Sequence, residues 1–508
     1  MQVRMLLAAP LLLVALAGCL GDSDSDAGDD LAAPSYLPKA SGLIPVAPDP
    51  AEFIGTIPND HLTGATGHIG HQLGELHQGS HNFQLLGHTD ASENLMLPAG
   101  GFTELHVVGD LAVVSSLTSA RGVSLLNVSD PANMRVLSHI YNLDDNWDAR
   151  ISDDAKYLFV GCQGSQAFDC TGVDTSGENP TTTGGLVCAP LATCPGGIAI
   201  YDIADPTIPL HVGYLPMGFT HNVFTFIQDD KYYFVNAVAN IGEWDPATDT
   251  FQLASTDAIP GVHDIAVQKH PLTGDWLLYT GNGAHMSIWN VNDPFNPVEE
   301  GIVDEGAPMW HEQTPMPCLI AGRHITIGAG ERGSGEPEPV AVVDTTNPKD
   351  PRFLGEWKIP DFDSLTGQNN YRYSLHNIDG NCDGQVAVGH YHAGVWVFDI
   401  STPERMVEPV TLGYYQPHEQ PVSLGWSPVV TAPIGALVSL DVPNVWTAQW
   451  GGENNNILFI PDMTTGIYAL APTWEFENGE AADTMGKDCD HDHDQVDGHA
   501  HEHAHGAC

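Results

Sequence analysis

Positive charge is scarce in this 508-residue sequence: 16 Lys and Arg stand against 65 Asp and Glu, for a formal net charge of −49. Such a surface repels nucleic acid and anionic membrane surfaces, so nucleic acid is excluded as a partner. It suits a high-salt environment, where dense carboxylates keep a protein hydrated. Long hydrophobic runs are also missing. Beyond the first residues, no apolar stretch approaches the roughly 20 residues that a membrane-spanning helix needs. No segment sustains an apolar 3.6-residue period, and there is no G-x-S-x-G, P-loop, dinucleotide fingerprint or C-x-x-C-H haem motif. Carboxylates are too plentiful for any acid pair to be singled out. Glycine and proline are abundant, at 53 and 37 residues. Without a helical period, that combination predicts an all-β chain with many turns.

The first residues read MQVRMLLAAPLLLVALAGC. One arginine precedes an apolar run from Met5 to Ala17 that is too short to span a bilayer and has the length of a signal-peptide core. Its end, Leu16-Ala17-Gly18-Cys19, resembles the lipobox of bacterial and some archaeal lipoproteins. The resemblance implies cleavage before Cys19 and a diacylglyceryl group on its thiol, and two acyl chains make a stable anchor. GDSDSDAGDD and the Pro- and Ala-rich sequence up to Pro50 bury too little apolar surface to fold, and read as a tether. The expected location is the outer face of a membrane, at the cell surface or on the periplasmic side.

Nine cysteines are present, eight of them besides Cys19. Cys162, Cys170, Cys188 and Cys194 crowd a Gly/Thr-rich insertion and in an exported protein read as disulfides stapling a long loop. A four-thiolate metal site is the alternative, but their spacings are longer than C-x2-C. Cys318, Cys382, Cys489 and Cys508 can also pair, with connectivity open.

The chain repeats itself. GVSLLNVSDPANM from Gly122, GIAIYDIADPTIP from Gly197, MSIWNVNDPFNP from Met286, VAVVDTTNPKDP from Val340 and GVWVFDISTPERM from Gly394 can be laid over one another. Alternating apolar residues make each a strand with one buried face. The Asp or Asn that follows bonds its own backbone, and Pro fixes φ, so each strand ends in a turn. A further strand follows, as in HVGYL from His211 or RFLGEW from Arg352, and a strand pair precedes it, as in HNVFTFIQDDKYYFVNA from His221. Four-stranded antiparallel units recurring at roughly 40–50 residues predict a β-propeller. Degenerate copies at GEWDPATDTF, around Asp245, and near Gly466 bring the blades to seven between Gly100 and Phe476; six or eight result if those copies are read otherwise.

These strings resemble the LVIVD-repeat family, with Gly197–Pro209 the nearest match. Met286–Pro297 departs from the pattern at Asn290, and Val340–Pro351 at Thr345-Thr346. The resemblance covers most of residues 100–475 and implies a cell-surface propeller. It implies little chemistry, because fold does not fix function.

Four units open their first strand with His followed by an amide or acid: His221-Asn222, His263-Asp264, His311-Glu312 and His376-Asn377. Trp147-Asp148, Trp446-Thr447 and Glu104 hold the equivalent places elsewhere. The first strand of a propeller blade lines the central channel, so these imidazoles are expected to share one axial space. They are candidate ligands for Zn, Cu, Fe or Ni; the structural alternative is that each bonds a neighbouring blade's backbone. His390 and His392 are further candidates on one face. His68, His71, His77, His81 and His88 precede the first blade. The C-terminal tract carries His491, His493, His499, His501, His503 and His505 among acids, a composition that captures transition metals. Asp379-x-Asn381-x-Asp383-Gly384 looks like the start of a calcium loop, but its twelfth position is His390 and a plain tight turn is the better reading.

The expected organisation is a signal peptide (1–18), a tether (19–50), a His/Gly-rich lead-in (51–99), a propeller (100–480) and a His/Asp-rich tail (481–508). The expected role is a surface binding or scaffold module for a protein or small-molecule ligand, with a bound transition metal. The alternatives are a metal-dependent enzyme using the channel histidines and a metal scavenger acting through its tail.

Overall fold

The computed structural model describes residues 40–57, 79–91, 101–116, 122–141, 148–162, 186–188, 196–255, 259, 263–306, 309–332, 335–366, 372–417, 443–452, 454–463 and 465–477. Cys19, Cys170, Cys194, the histidines at 68, 71 and 77 and the entire tail from 478 lie outside the described residues. No described helix is long and apolar enough to cross a membrane.

Seven sheets, each built on four antiparallel strands, form a seven-bladed β-propeller. The innermost strands, in order, are Phe102–Val108, Ala149–Ile151, Val223–Gln228, Asp264–Lys269, Glu312–Pro315, Ile378–Gly380 and Gln449–Gly451. Each of these strands packs beside the next, and the seventh beside the first, so the ring is closed. The repeated strings are the third strands: Gly122–Asn127, Gly197–Asp202, Met286–Asn290, Val340–Asp344 and Val395–Asp399. Both degenerate copies are third strands as well, Ile241–Asp245 in the third blade and Gly466–Pro472 in the seventh. The expected turn recurs in detail. In six blades the side-chain oxygen at the end of the third strand (Asn127, Asp202, Asp245, Asn290, Asp344, Asp399) accepts the backbone N–H two residues on.

The sequence reading began the propeller near Gly100. The structure begins it earlier. Phe83–Thr89 is the outer strand of the seventh blade, pairing with Gly466–Pro472, and Gly79–His81 adds a fifth strand to the sixth blade. The last repeat has no outer strand of its own, so N-terminal sequence supplies it. That sequence was assigned to a lead-in because it carries no string of the repeat type. His81 therefore sits in a strand beside Glu52, and the His88 ring bonds the Thr465 carbonyl.

The third and fourth strands shift register in each of the first six blades, just before the residue that precedes the turn Asx in five of them and two residues further back, at Ile241/Gly242, in the third. Near that bulge the outer strand often carries glycine. A Cβ on Gly301 would run into the Pro348–Pro351 turn of the next blade, and one on Gly355 into the Val407 backbone. At Gly87 the obstacle would be Pro131 and Ala132 of the first blade. In the first blade a serine fills the place, and Ser138 donates to the Pro206 carbonyl at 2.6 Å. The blades thus nest by sliding one turn into the next blade's bulge. Between nested blades lie apolar clusters such as Leu277, Tyr279, Ile288, Trp310, Ala341 and Val343.

Cys318 and Cys382 form a disulfide between the first hairpins of the fifth and sixth blades. It closes a sequence separation of 64 residues, which in the chain-entropy picture removes about 4 kcal/mol of freedom from the unfolded chain. Cys162, buried at the end of a second strand, is also disulfide-bonded. Cys188 lies in Leu186–Cys188, which pairs in parallel with the outer strand of the first blade.

Gly355→Ala is expected to lower stability by about 1–3 kcal/mol, the usual cost of overpacking. Denaturant unfolding checks it: the midpoint should fall with the slope unchanged, and an unshifted midpoint would contradict the nesting.

Candidate functional site

The four histidines of the blade openings converge on one end of the channel. Their local cause is a shared place at the entry to the inner strand, one residue before it for His263 and His311 and two for His221 and His376. The N–H groups of His263, His311 and His376 donate to the carbonyls of Gly281, Ala329 and Gly389, the last residues of their own second strands. At Gly281 and Gly389 a side chain would strike the next blade's backbone at Trp310-His311 and Trp446-Thr447, so glycine lets those loops approach. Ring centroids step round the axis at 5.5 Å from His221 to His263, 4.5 Å to His311 and 5.1 Å to His376. Trp446 of the seventh blade ends the row, 3.8 Å from His376. The site opens on one side: His263 is exposed and His221 half-buried, whereas His311 and His376 are buried.

Acidic groups flank the row. His311 Nδ1 lies 3.7 Å from Asp264 Oδ2, and His311 Nε2 lies 3.4 Å from Glu331 Oε2. Neither ring nitrogen of His311 has a hydrogen-bond partner, although the side chain is only 4 % exposed. Donor atoms of His311, Glu331 and His376 fall within 4.8 Å of one another, as do those of His263, Asp264 and His311. Glu331 is itself held in place. The Tyr391 hydroxyl donates to its Oε1 at 2.6 Å and Arg372 pairs with the same oxygen.

Electrostatics keep these imidazoles neutral. Burial, reinforced by the neighbouring rings His263 and His376, lowers His221 to about 3. Burial lowers His376 to about 4, partly offset by Glu331, and pushes His311 well below its ordinary value. Burial works against the Glu331 carboxylate, yet His376, His311, Arg372 and the Tyr391 hydroxyl bring it down to about 2. At neutral pH the site is a set of neutral imidazoles beside one carboxylate, the protonation state that a metal ligand needs.

Below the histidines the next residue of each blade forms a second, oxygen-rich tier: Glu104, Asp148, Asn222, Asp264, Glu312, Asn377 and Thr447, all buried. Arg150 reaches toward Glu104 and Asp148, 3.5 Å from each, with its guanidinium over the Phe224 ring. Burial raises Glu104, with Asp148 adding to the effect, and burial raises Asp264 to about 7. Glu312 is raised by burial and then by Asp264 and Glu104. A cavity of about 170 Å³ opens at this level, lined by Glu104, Arg150 and Glu312 among others.

His390 and His392 do not join the row. His390 Nδ1 donates to the Tyr373 carbonyl at 2.8 Å, and His392 Nδ1 accepts from the Arg372 N–H at 2.9 Å. They bracket Tyr391, and it is Tyr391 that turns toward Glu331 and His376. The tight-turn reading of Asp379–Gly384 holds. Asn381 Oδ1 accepts from Asp383 and Gln385, Gly384 has φ +82°, and Asp379 accepts from the Trp450 N–H. Sequence reasoning missed Glu331, Arg372, Tyr391 and Arg150. Glu331 and Arg372 lie in loops outside the repeat and carry no periodic signal.

No protein-family model matches the chain, and no curated protein matches it.

Because the folded His376 lies at about 4, below an unfolded value of roughly 6.5, its contribution is complete above that value. It is lost as pH falls from 6.5 toward 4, when the unfolded chain takes up a proton that the folded one refuses. His376→Asn should therefore shrink the stability loss between pH 6.5 and 4 by about 3 kcal/mol, read from denaturant unfolding of the metal-free protein at each pH. An unchanged pH dependence would contradict a neutral buried ring.

Proposed function

We propose that this chain is an exported, lipid-anchored β-propeller that holds a transition metal ion at the mouth of its channel and uses that face to bind a ligand. The observation that supports it best is the convergence of His311, His376 and Glu331, with neither ring nitrogen of the buried His311 hydrogen-bonded. Leaving such groups unpaired is costly, and a metal ion satisfies them. Two imidazoles and one carboxylate suit Fe(II), while the further imidazoles of His221 and His263 suit Zn, Cu or Ni. Bound there, such an ion would polarise a ligand atom as a Lewis acid. Asp264 and Glu331 would orient the His311 ring, Tyr391 and Arg372 would fix Glu331, and His221 and His263 would line the open approach. The lipid anchor rests on the Leu16-Ala17-Gly18-Cys19 motif, and the kinship to LVIVD repeats on third strands that share one Asx-Pro turn.

A metal-dependent enzyme is the second reading. The exposed rim at His263 and His221 favours it, since an open side leaves room for a substrate. Scavenging by the tail histidines is separate and is removed by design in the experiment below.

Elemental mass spectrometry on the chain carrying H491S, H493S, H499S, H501S, H503S and H505S is expected to find near one equivalent of transition metal. Adding His311→Ala and His376→Ala should remove it from a chain that still folds. Metal retained by that variant, or none found without it, would overturn the proposal.

A further inference from the structure

The oxygen tier beneath the histidines holds more carboxyl groups than its cationic partners can serve. Glu104, Asp148, Asp264 and Glu312 are buried around the axis and Asp379 is half-buried there, and among the described residues Arg150 is the one Lys or Arg that meets them. Most of these carboxyls are partly engaged. Asp148 accepts from the Val223 N–H, Asp264 from Asn222 and the Ile265 N–H, and Asp379 from the Trp450 N–H. Glu104 takes Asn377 and Arg150, at 3.3 and 3.5 Å. Glu312 differs. Its carboxyl takes the Thr314 hydroxyl on Oε1 at 3.0 Å and has the Ile378 backbone N–H near it, but its Oε2 makes no hydrogen bond, and the residue is only 6 % exposed. Glu312 and Glu104 both line the cavity, with Asn377 and Thr447 between them in the ring.

We propose that this cavity is a second site, for a hydrated hard divalent cation of the Mg2+ or Ca2+ class, held by the carboxylates of Glu312 and Glu104. The donors here are carboxylate, amide and hydroxyl oxygens, which select oxygen-seeking cations and not the metals that imidazole prefers. Two carboxylates with several retained waters is a common way to hold Mg2+, and a cavity of about 170 Å³ has room for those waters. A bound cation satisfies Glu312 Oε2 and offsets the mutual repulsion of the carboxyls that one guanidinium leaves standing. The site rests on the oxygen tier alone, so it stands or falls separately from the imidazole site above it.

Isothermal titration calorimetry of the full chain with Ca2+ and with Mg2+ tests it. About 1 M KCl shortens the Debye length to about 3 Å and suppresses diffuse binding to the acidic surface. One saturable equivalent is expected for at least one of the two ions. Glu104→Gln combined with Glu312→Gln should weaken it roughly 10–100-fold, and Asp304→Asn, at an exposed acid far from the channel, should leave it unchanged. If the double variant does not fold, Glu312→Gln alone serves, because the oxygen that matters bonds nothing in the protein. No saturable binding of either ion, or equal affinity in the folded glutamine variant, would overturn the proposal.

Discussion

A propeller places seven strand edges round an axis where they cannot pair with one another, and the rest of this molecule is arranged about those edges. An unpaired buried backbone group costs as much as a lost hydrogen bond. Here each gap between inner strands is crossed by a side chain. His106 takes the Ile151 N–H, Asp148 that of Val223, Asp379 that of Trp450 and Gln449 that of Val107. Gln268 and Thr314 donate to the carbonyls of Met316 and Ile378, and Asn222 meets Asp264. All seven junctions are covered, so polar residues in the channel are first of all the fastening of the ring.

That requirement also builds the site. Polar side chains must stand at the inner-strand openings, and once there they face a shared space. Asp264 fastens the third blade to the fourth through Asn222 and at the same time lies behind the His311 ring. The imidazoles belong to consecutive blades because the repeat delivers one residue per blade to the same level. Their protonation follows from depth: the same burial that makes the channel a packed wall strips the rings of charge. The residues that tune the site come from outside this scheme, since Glu331 and Arg372 lie in loops that no blade requires.

What the sequence displays and what it conceals divide along that line. The third strands were legible because apolar alternation and an Asx-Pro turn recur, and the blade count followed from them, degenerate copies included. The histidine row was legible from one position in each repeat. Glu331 was not, being one acid among many in a Gly-rich loop. Tyr391 was passed over for His390 and His392, yet the backbone claims both imidazoles, while Tyr391, at φ +38°, presents its hydroxyl to Glu331. The closing strand Phe83–Thr89 was hidden because it lies some four hundred residues from its partner, roughly one whole chain of blades, and bears no mark of the repeat.

That closure has a mechanical side. Pro45 bridges Phe476, Val46 donates to Glu475 and Glu477 donates to Ile44, so the lead-in and the last described residues run together as a clasp. Arg405 ties both strands of it to the sixth blade, through the Pro45 carbonyl and the Glu477 carboxylate. A pull between the two ends of the chain is borne by this clasp before it reaches any blade. Tension is short-circuited there, and the ring itself stays unloaded until the clasp gives way.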